Sequence, residues 1–324
     1  MTEILLDRPG LQRLVTDAGR AYVLTQLTGP VAVGDRVVLN TTAVELGLGT
    51  GGWHVVHWNL SRDAWSEPGP GHIMKVRYTS IQTDTGAAEE DHPELSSDLG
   101  GMPVVACSLH SQVPAVAVAV VAAAPTARIA YVMTDGAALP LALSDLVVDM
   151  VAAGLLAATI TAGHAFGGDL EAVSVPSALA LARHVMAADV AIVAMGPGVV
   201  GTGTALGTTS VEVAAVLDGA AALGGLPIAA LRMSSGDARA RHQGVSHHTR
   251  TALDLTRSRV LVAAPHEGAF TDPRHDVRVV PPPPIPELLA DAGLRVTTMG
   301  RSAAEDPLFF EAAGAAGTLA ATLL

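Results

Sequence analysis

From residue 101 onward the chain alternates short, almost unbroken apolar runs with alanine-rich stretches of helical character, and this alternation constrains the fold more than any other feature. A strand with one wet face would alternate apolar and polar side chains, so a near-continuous apolar run predicts a strand buried on both faces. Runs of that kind lie at 103–107, 129–133, 156–161, 190–195, 228–232, 260–264, 277–280 and 295–299. Helical patterns follow at 140–153, 176–187, 209–223, 247–256, 286–292 and 311–324. Buried strands separated by helices require crossover connections. The expectation is therefore an α/β fold with a mainly parallel sheet covered by helices on both faces, Rossmann-like in outline. The PPPPIP run at 281–286 cannot occupy a central strand and predicts a stiff connection into a late helix.

The first hundred residues follow a different rule. LQRLVT, RAYVLTQL, DRVVLNTT and WHVVHWNL are short strand-like runs separated by Gly, Pro and Asp turn signals, which predicts a smaller antiparallel β domain. One more strand is expected in HIMKVRYTSIQ, and the acidic EEDHPELSSD at 89–98 is expected to be a solvated loop. The division is placed at 1–100 for the β-rich domain and 101–324 for the α/β domain.

Charge and composition exclude several functions. A formal net charge of −12 repels a nucleic-acid backbone, and 3% aromatic residues leave little surface for stacking bases. Cys107 is the sole cysteine, so no intrachain disulfide forms and a small buried hydrophobe is expected there. The start MTEILLDRPG lacks the basic and apolar regions of a secretory signal. The apolar run at 102–124 approaches membrane-spanning length but is interrupted by Ser108, His110, Ser111, Gln112 and Pro114, which predicts strand, turn and helix instead. A cytoplasmic protein that binds neither nucleic acid nor membrane is the expectation.

The chemistry is concentrated between 188 and 249. After the strand at 190–195, Gly196, Gly198 and Gly201 match the spacing G-x-G-x-x-G, which in a dinucleotide fold brings backbone N–H groups onto a pyrophosphate. Here the glycines continue through Gly203 to Gly207 and delay the helix to about Thr208, whereas the fingerprint opens a helix at once. Three readings stay open: a nicotinamide dinucleotide, another phosphate or carboxylate cradle, or a turn that packs strand on helix. Thr202 stands where a P-loop needs lysine, which excludes that motif. Thr208 can cap the helix or reach an anion.

The segment RMSSGDARARHQGVSHHT adds Arg239 and Arg241 for bidentate anion binding. Ser246 is placed as a helix cap, with His247 and His248 in the first turn, where the helix dipole keeps imidazoles neutral. His242, His247, His248 and, after the first core strand, His110 are the candidate acid, base or ligand groups. Adjacent helical residues diverge by about 100°, which argues against His247 and His248 sharing one metal. A divalent cation is expected instead, if anywhere, at His164, Asp169 and Glu171 in the HxxxxDxE segment. In open parallel sheets ligands gather beyond the carboxyl ends of strands, where these groups fall.

Taken together, LNTTAVELGLGTGGWHVV, GHIMKVRYTSIQ, CSLHSQVPAVA, GPGVVGTGTALG and DARARHQGVSHHT resemble the blocks of an uncharacterised bacterial family of the DUF3866 type, over nearly the whole chain. The resemblance implies no activity, cofactor or catalytic residue. Residue chemistry alone leads to an enzyme for a small anionic or phosphorylated metabolite. The alternatives are a non-catalytic metabolite-binding or self-assembling protein, homo-oligomeric through its alanine-rich C-terminal helix, and an NADP-dependent oxidoreductase. The substrate and any cofactor stay unassigned.

Overall fold

Eight strands form one all-parallel sheet: β6 (Pro103–Ala106), β7 (Ile129–Thr134), β8 (Ala158–Ala162), β9 (Leu170–Ala172), β10 (Val190–Met195), β11 (Leu226–Ala229), β12 (Leu261–Ala264) and β13 (Asp276–Val279). They lie in the order β9-β8-β7-β10-β6-β11-β12-β13. β10, the fifth of these strands in the chain, inserts between β6 and β7, an order that differs from the 3-2-1-4-5-6 of the dinucleotide fold. This is a computed structural model, and it describes residues 1–137 and 139–324.

The apolar runs become central strands because both faces of the sheet are covered. On one face Val104, Ala106, Ala130, Val132, Ala191 and Val193 pack with Leu179, Leu181, Val216 and Leu217 from helices α3 (Val175–His184) and α4 (Glu212–Ala222). On the other lie α1 (Val113–Ala123), α6 (Ile285–Asp291) and α7 (Pro307–Ala321), which pack on one another. The same unit also contains α2 (Asp145–Ala152) and α5 (His247–Leu255). Gly317 has no Cβ because one would overlap the Val116 carbonyl oxygen of α1. The alanines of α7 are therefore spent inside the unit: Ala312, Ala313, Ala315, Ala316 and Ala320 are all buried. The face expected to mediate self-association is already covered by α1.

The strand expected at 295–299 is a two-residue hairpin arm, Thr297–Thr298 against Arg301–Ser302. The eighth sheet strand is instead β9, which pairs in parallel with β8 and arises from the segment expected to hold a cation.

The structure divides into two compact units, Met1–Gly86 with Pro140–Leu143, and Ala87–Leu139 with Ser144–Leu324. The first contains β1 (Glu3–Arg8), β2 (Leu11–Thr16), β3 (Gly19–Leu24), β4 (Val37–Asn40) and β5 (His54–Asn59) in the order β1-β2-β3-β5-β4. Its neighbours are antiparallel except β3 and β5, over a small core of Leu14, Ala21, Val23, Val31 and Val56. The strand expected in HIMKVRYTSIQ shortens to Met74–Lys75, because Val76 and Tyr78 adopt positive φ. Residues 89–98 belong to the second unit, and Glu89 accepts hydrogen bonds from Val173 N and Ser177 Oγ at the start of α3. Among the described residues no helix is long and apolar enough to cross a membrane.

Two glycine substitutions separate close packing from helix propensity. Gly219 lies inside α4, and a Cβ there meets only Pro176 Cγ at 3.9 Å. Gly219→Ala is expected to stabilise by about 0.5–1 kcal/mol, whereas Gly317→Ala is expected to destabilise by about 1–3 kcal/mol through overpacking against backbone. Urea denaturation of both variants checks this, and equal shifts of one sign would contradict the packing account.

Candidate functional site

Beyond β11 the chain does not enter a helix at once. It runs through buried Ala230 and Leu231 to Arg232, then forms a small ribbon in which Met233–Ser234 pairs antiparallel with Gly244–Val245. The turn inside the ribbon is fastened by Asp306, fully buried just ahead of α7. Its carboxylate accepts from Ser234 Oγ at 2.5 Å, Ser235 N at 3.0 Å and Arg301 Nε at 3.1 Å. The ribbon returns the chain to Ser246, whose Oγ caps α5 by accepting from His248 N at 3.3 Å.

This path brings His242, His247 and His248 together. Ring centroids lie 4.0 Å apart for His247 and His248, 5.0 Å for His242 and His248, and 5.1 Å for His242 and His247. One ring nitrogen from each lies within 4.8 Å of the other two. His242 Nδ1 pairs with Ser246 Oγ at 2.8 Å, and His248 Nδ1 faces Thr208 Oγ1 at 3.4 Å. The Nε2 atoms of His247 and His248 are buried and have no hydrogen-bond partner. The 100° argument against a shared ligand therefore fails at this site. It describes Cα–Cβ directions along a regular helix, whereas His247 opens α5 directly after the Ser246 cap and its ring lies against that of His248.

The surroundings are cationic. Burial, then Arg232 and Arg239, lowers the His242 pKa to about 3. Burial, His247 and Arg232 lower that of His248 to about 4. Burial, with Arg241 and Arg232, lowers His247 as well. All three rings are neutral near pH 7. Arg232 itself is 5% exposed, and burial followed by Arg239 lowers its pKa to about 10. It stays charged. The pair expected to clamp an anion divides. Arg239 is held in two-pronged fashion by Asp237, through Nε at 2.9 Å and Nη2 at 2.8 Å, while Arg241 is exposed. Among the described residues, the guanidinium groups of Arg232 and Arg241 have no hydrogen-bonded carboxylate, and Arg232 is the buried one.

The other sequence candidates serve different ends. Gly196, Gly198, Gly201 and Gly203 do not open a helix. Gly201 and Thr208 form a bridge, Thr202 N donates to Gly207 O at 2.7 Å and Thr209 N to Val200 O at 2.9 Å, closing residues 200–209 into an exposed hairpin. Thr208 caps the short 3-10 turn Thr209–Val211 ahead of α4. The absent Cβ of Gly201 lets this hairpin lie against the His248 ring, whose Cε1 would be 2.8 Å from a methyl group there. Asp169 accepts from Thr159 N at 2.8 Å and Thr159 Oγ1 at 2.9 Å, and Glu171 from Thr161 Oγ1 at 2.8 Å and Gly167 N at 2.5 Å. These carboxylates secure β9 to β8. Among the described residues the group with three convergent metal donors is the histidine trio, not His164, Asp169 and Glu171.

His110 is a structural bridge. Its Nδ1 lies 3.0 Å from Tyr131 Oη and its Nε2 2.7 Å from Ser144 Oγ. Tyr131 Oη donates to the carbonyls of β10 at Ala194 and Met195, so His110 Nδ1–H donates to Tyr131 and Ser144 donates to Nε2. Burial lowers this histidine to about 4, which keeps the relay neutral. Asp306 and Arg301 were not singled out in the sequence; their signal was only a polar stretch, RSAAEDP, ahead of an apolar helix.

Fold and site together define a two-unit α/β protein with a histidine- and arginine-lined site at the carboxyl edge of its parallel sheet. The chain belongs to the family described as Protein of unknown function (DUF3866), whose profile matches residues 20–317. No curated protein and no solved structure matches it.

Glu212, in the first turn of α4, lies on the same sheet edge. It accepts from Thr134 Oγ1 at 2.7 Å, and burial, partly offset by that bond and assisted by nearby Asp135, raises its pKa to about 7. The folded state thus holds this proton more tightly than the unfolded chain, whose reference value is 4.5. The associated stability is fully present below pH 4.5 and is lost as pH rises through about 7. Glu212→Gln removes the buried charge and is expected to be more stable than the parent at pH 8 by on the order of 2 kcal/mol, with little difference at pH 4.5. Denaturation curves at the two pH values check this, and a pH-independent difference would contradict it.

Proposed function

We propose that this protein is an enzyme acting on a small anionic or phosphorylated molecule, with Arg232 as the anion-binding group and His242, His247 and His248 as the reacting groups. The observation that carries the reading is Arg232: a residue only 5% exposed beside three neutral imidazoles, whose guanidinium has Asp237 nearby but no carboxylate hydrogen-bonded to it. A buried charge is ordinarily paired, and a planar guanidinium matches a carboxylate or phosphate. Arg241, exposed beside the trio, supplies a second cation.

The histidines gain their chemistry from the same anion. In its absence burial and, after it, the arginine field suppress their protonation; a bound anion offsets the field and raises the imidazole pKa values toward the range useful for proton transfer at neutral pH. Binding and proton transfer would thus be coupled at one place. The reading does not extend to a nicotinamide dinucleotide, because the glycine segment closes on itself as a hairpin before the helix begins and the glycines at 196, 198 and 201 do not open a helix. A reducing cytoplasmic setting is part of the proposal, supported by Cys107, whose buried thiol is pushed well up.

Titration calorimetry of EDTA-treated protein with phosphate at low ionic strength tests the anion site. Saturable binding is expected, and Arg232→Met is expected to weaken it about 10- to 100-fold, the worth of a hydrogen-bonded ion pair. Unaltered phosphate binding in Arg232→Met would contradict the assignment. A screen of phosphate esters tests catalysis, and saturable binding without turnover of any ester would favour a non-catalytic binder.

A further inference from the structure

We propose that His242, His247 and His248 form a mononuclear site for a divalent transition metal of the zinc class. The inference shares its place with the anion-directed reading; with a metal bound the three histidines act as ligands and not as proton-transfer groups, and the anion site of that reading is kept only for what fills the remaining coordination position.

Three observations carry it. First, the donors converge without satisfying one another: one nitrogen of each ring lies within 4.8 Å of the others, yet Nε2 of His247 and of His248 is buried and unpartnered. His248 is 3% exposed, so water does not stand in for the missing partner from bulk. Tetrahedral coordination at about 2.0–2.1 Å places nitrogens about 3.4 Å apart, which small side-chain rotations reach from here. Second, the opposite ring nitrogens are positioned in the way metal-bound histidines are. Ser246 Oγ lies 2.8 Å from His242 Nδ1 and Thr208 Oγ1 3.4 Å from His248 Nδ1. With those nitrogens protonated, Nε2 is left as the lone-pair donor of His242 and of His248. Third, the set contains no carboxylate, since Asp237 is engaged by Arg239 and Arg301.

The donor chemistry selects the ion. Calcium and magnesium demand oxygen ligands, whereas three neutral imidazoles suit zinc, cobalt, nickel or copper. A neutral three-histidine set leaves the full double charge on the metal, the pattern of sites that keep one position open for water or substrate. Arg232 and Arg241 repel a bare dication, so the fourth ligand must be an anion: hydroxide or an oxygen of the bound substrate. Metal and anion are consequently expected to bind with mutual reinforcement.

The test uses the full-length, untagged, EDTA-treated chain. Cobalt(II) titration should give visible absorption bands that saturate at one equivalent and are displaced by zinc. His247→Ala and His242→Ala should each weaken zinc binding at least 100-fold while circular dichroism stays that of the parent. Ser246→Ala should weaken it about 10- to 100-fold, and the exposed His266→Ala should leave it unchanged. Absence of stoichiometric cobalt or zinc binding, or binding undiminished in both trio variants, overturns the inference. Sulfate separates the two proposals. Tighter zinc binding in sulfate supports both, zinc binding indifferent to sulfate supports the metal and counts against the anion site, and phosphate binding by a chain that takes no metal does the reverse.

Discussion

The buried carboxylate of Asp306 is the interaction on which the site depends. It sits at the start of α7, the helix locked against α1 by close glycine packing, and it holds the turn at 234–236 together with Arg301. Arg301 also reaches Asp237, which holds Arg239. A chain of ionic and hydrogen bonds thus runs from a deeply packed helix of the α/β unit to the ribbon that bears His242 and leads into α5. Removing Arg301 would leave the fully buried carboxylate of Asp306 without its ion-pair partner, a strongly destabilising change. His242 lies on a short turn and His247 and His248 open α5, and the segment that joins them is tied to the core.

That network also decides the local field. The protein carries a net charge of −12, and its average potential repels anions. Around the trio the balance reverses, because four arginines, 232, 239, 241 and 301, face the carboxylates of Asp237 and Asp306. At short range and low effective dielectric this local surplus outweighs distant surface charges, which salt screens over about 8–10 Å. An acidic protein can in this way attract an anion to one place and reject polyanions elsewhere.

Much of the architecture was legible in the sequence, and the limits of that legibility have physical causes. The strand at 190–195 and the helix at His247–Leu255 lie where periodicity and the Ser246 cap place them, since both signals are local. The exchange of the run at 295–299 for β9 as an edge strand was hidden, because edge pairing is decided by neighbours: Thr159 and Thr161 on β8 receive Asp169 and Glu171. Those same carboxylates looked like metal ligands for the reason that makes them good sheet fasteners, short acidic side chains at alternate positions. The glycine run carried a true signal, close approach of backbone, but the approach is to the His248 ring and to the hairpin's own partner strand.

The convergence of the histidines shows where local geometry stops being a guide. Sequence spacing separates His242 from His247 by more than one helical turn and sets His247 and His248 on different helical faces. Those rules assume one continuous helix, and here the segment is a 3-10 turn, a two-residue ribbon and the first turn of α5 in succession. Each change of backbone geometry redirects a side chain, so the three rings meet at a point no single period would place them. The same breaks leave ring nitrogens without backbone partners, since a histidine at an irregular junction packs on its neighbours rather than along a ladder. A cluster tied to Asp306, kept neutral by burial and adjacent arginines and left with unpaired buried nitrogens is poorly explained by stability alone. Its hydrogen-bonding capacity is complete only when something binds there.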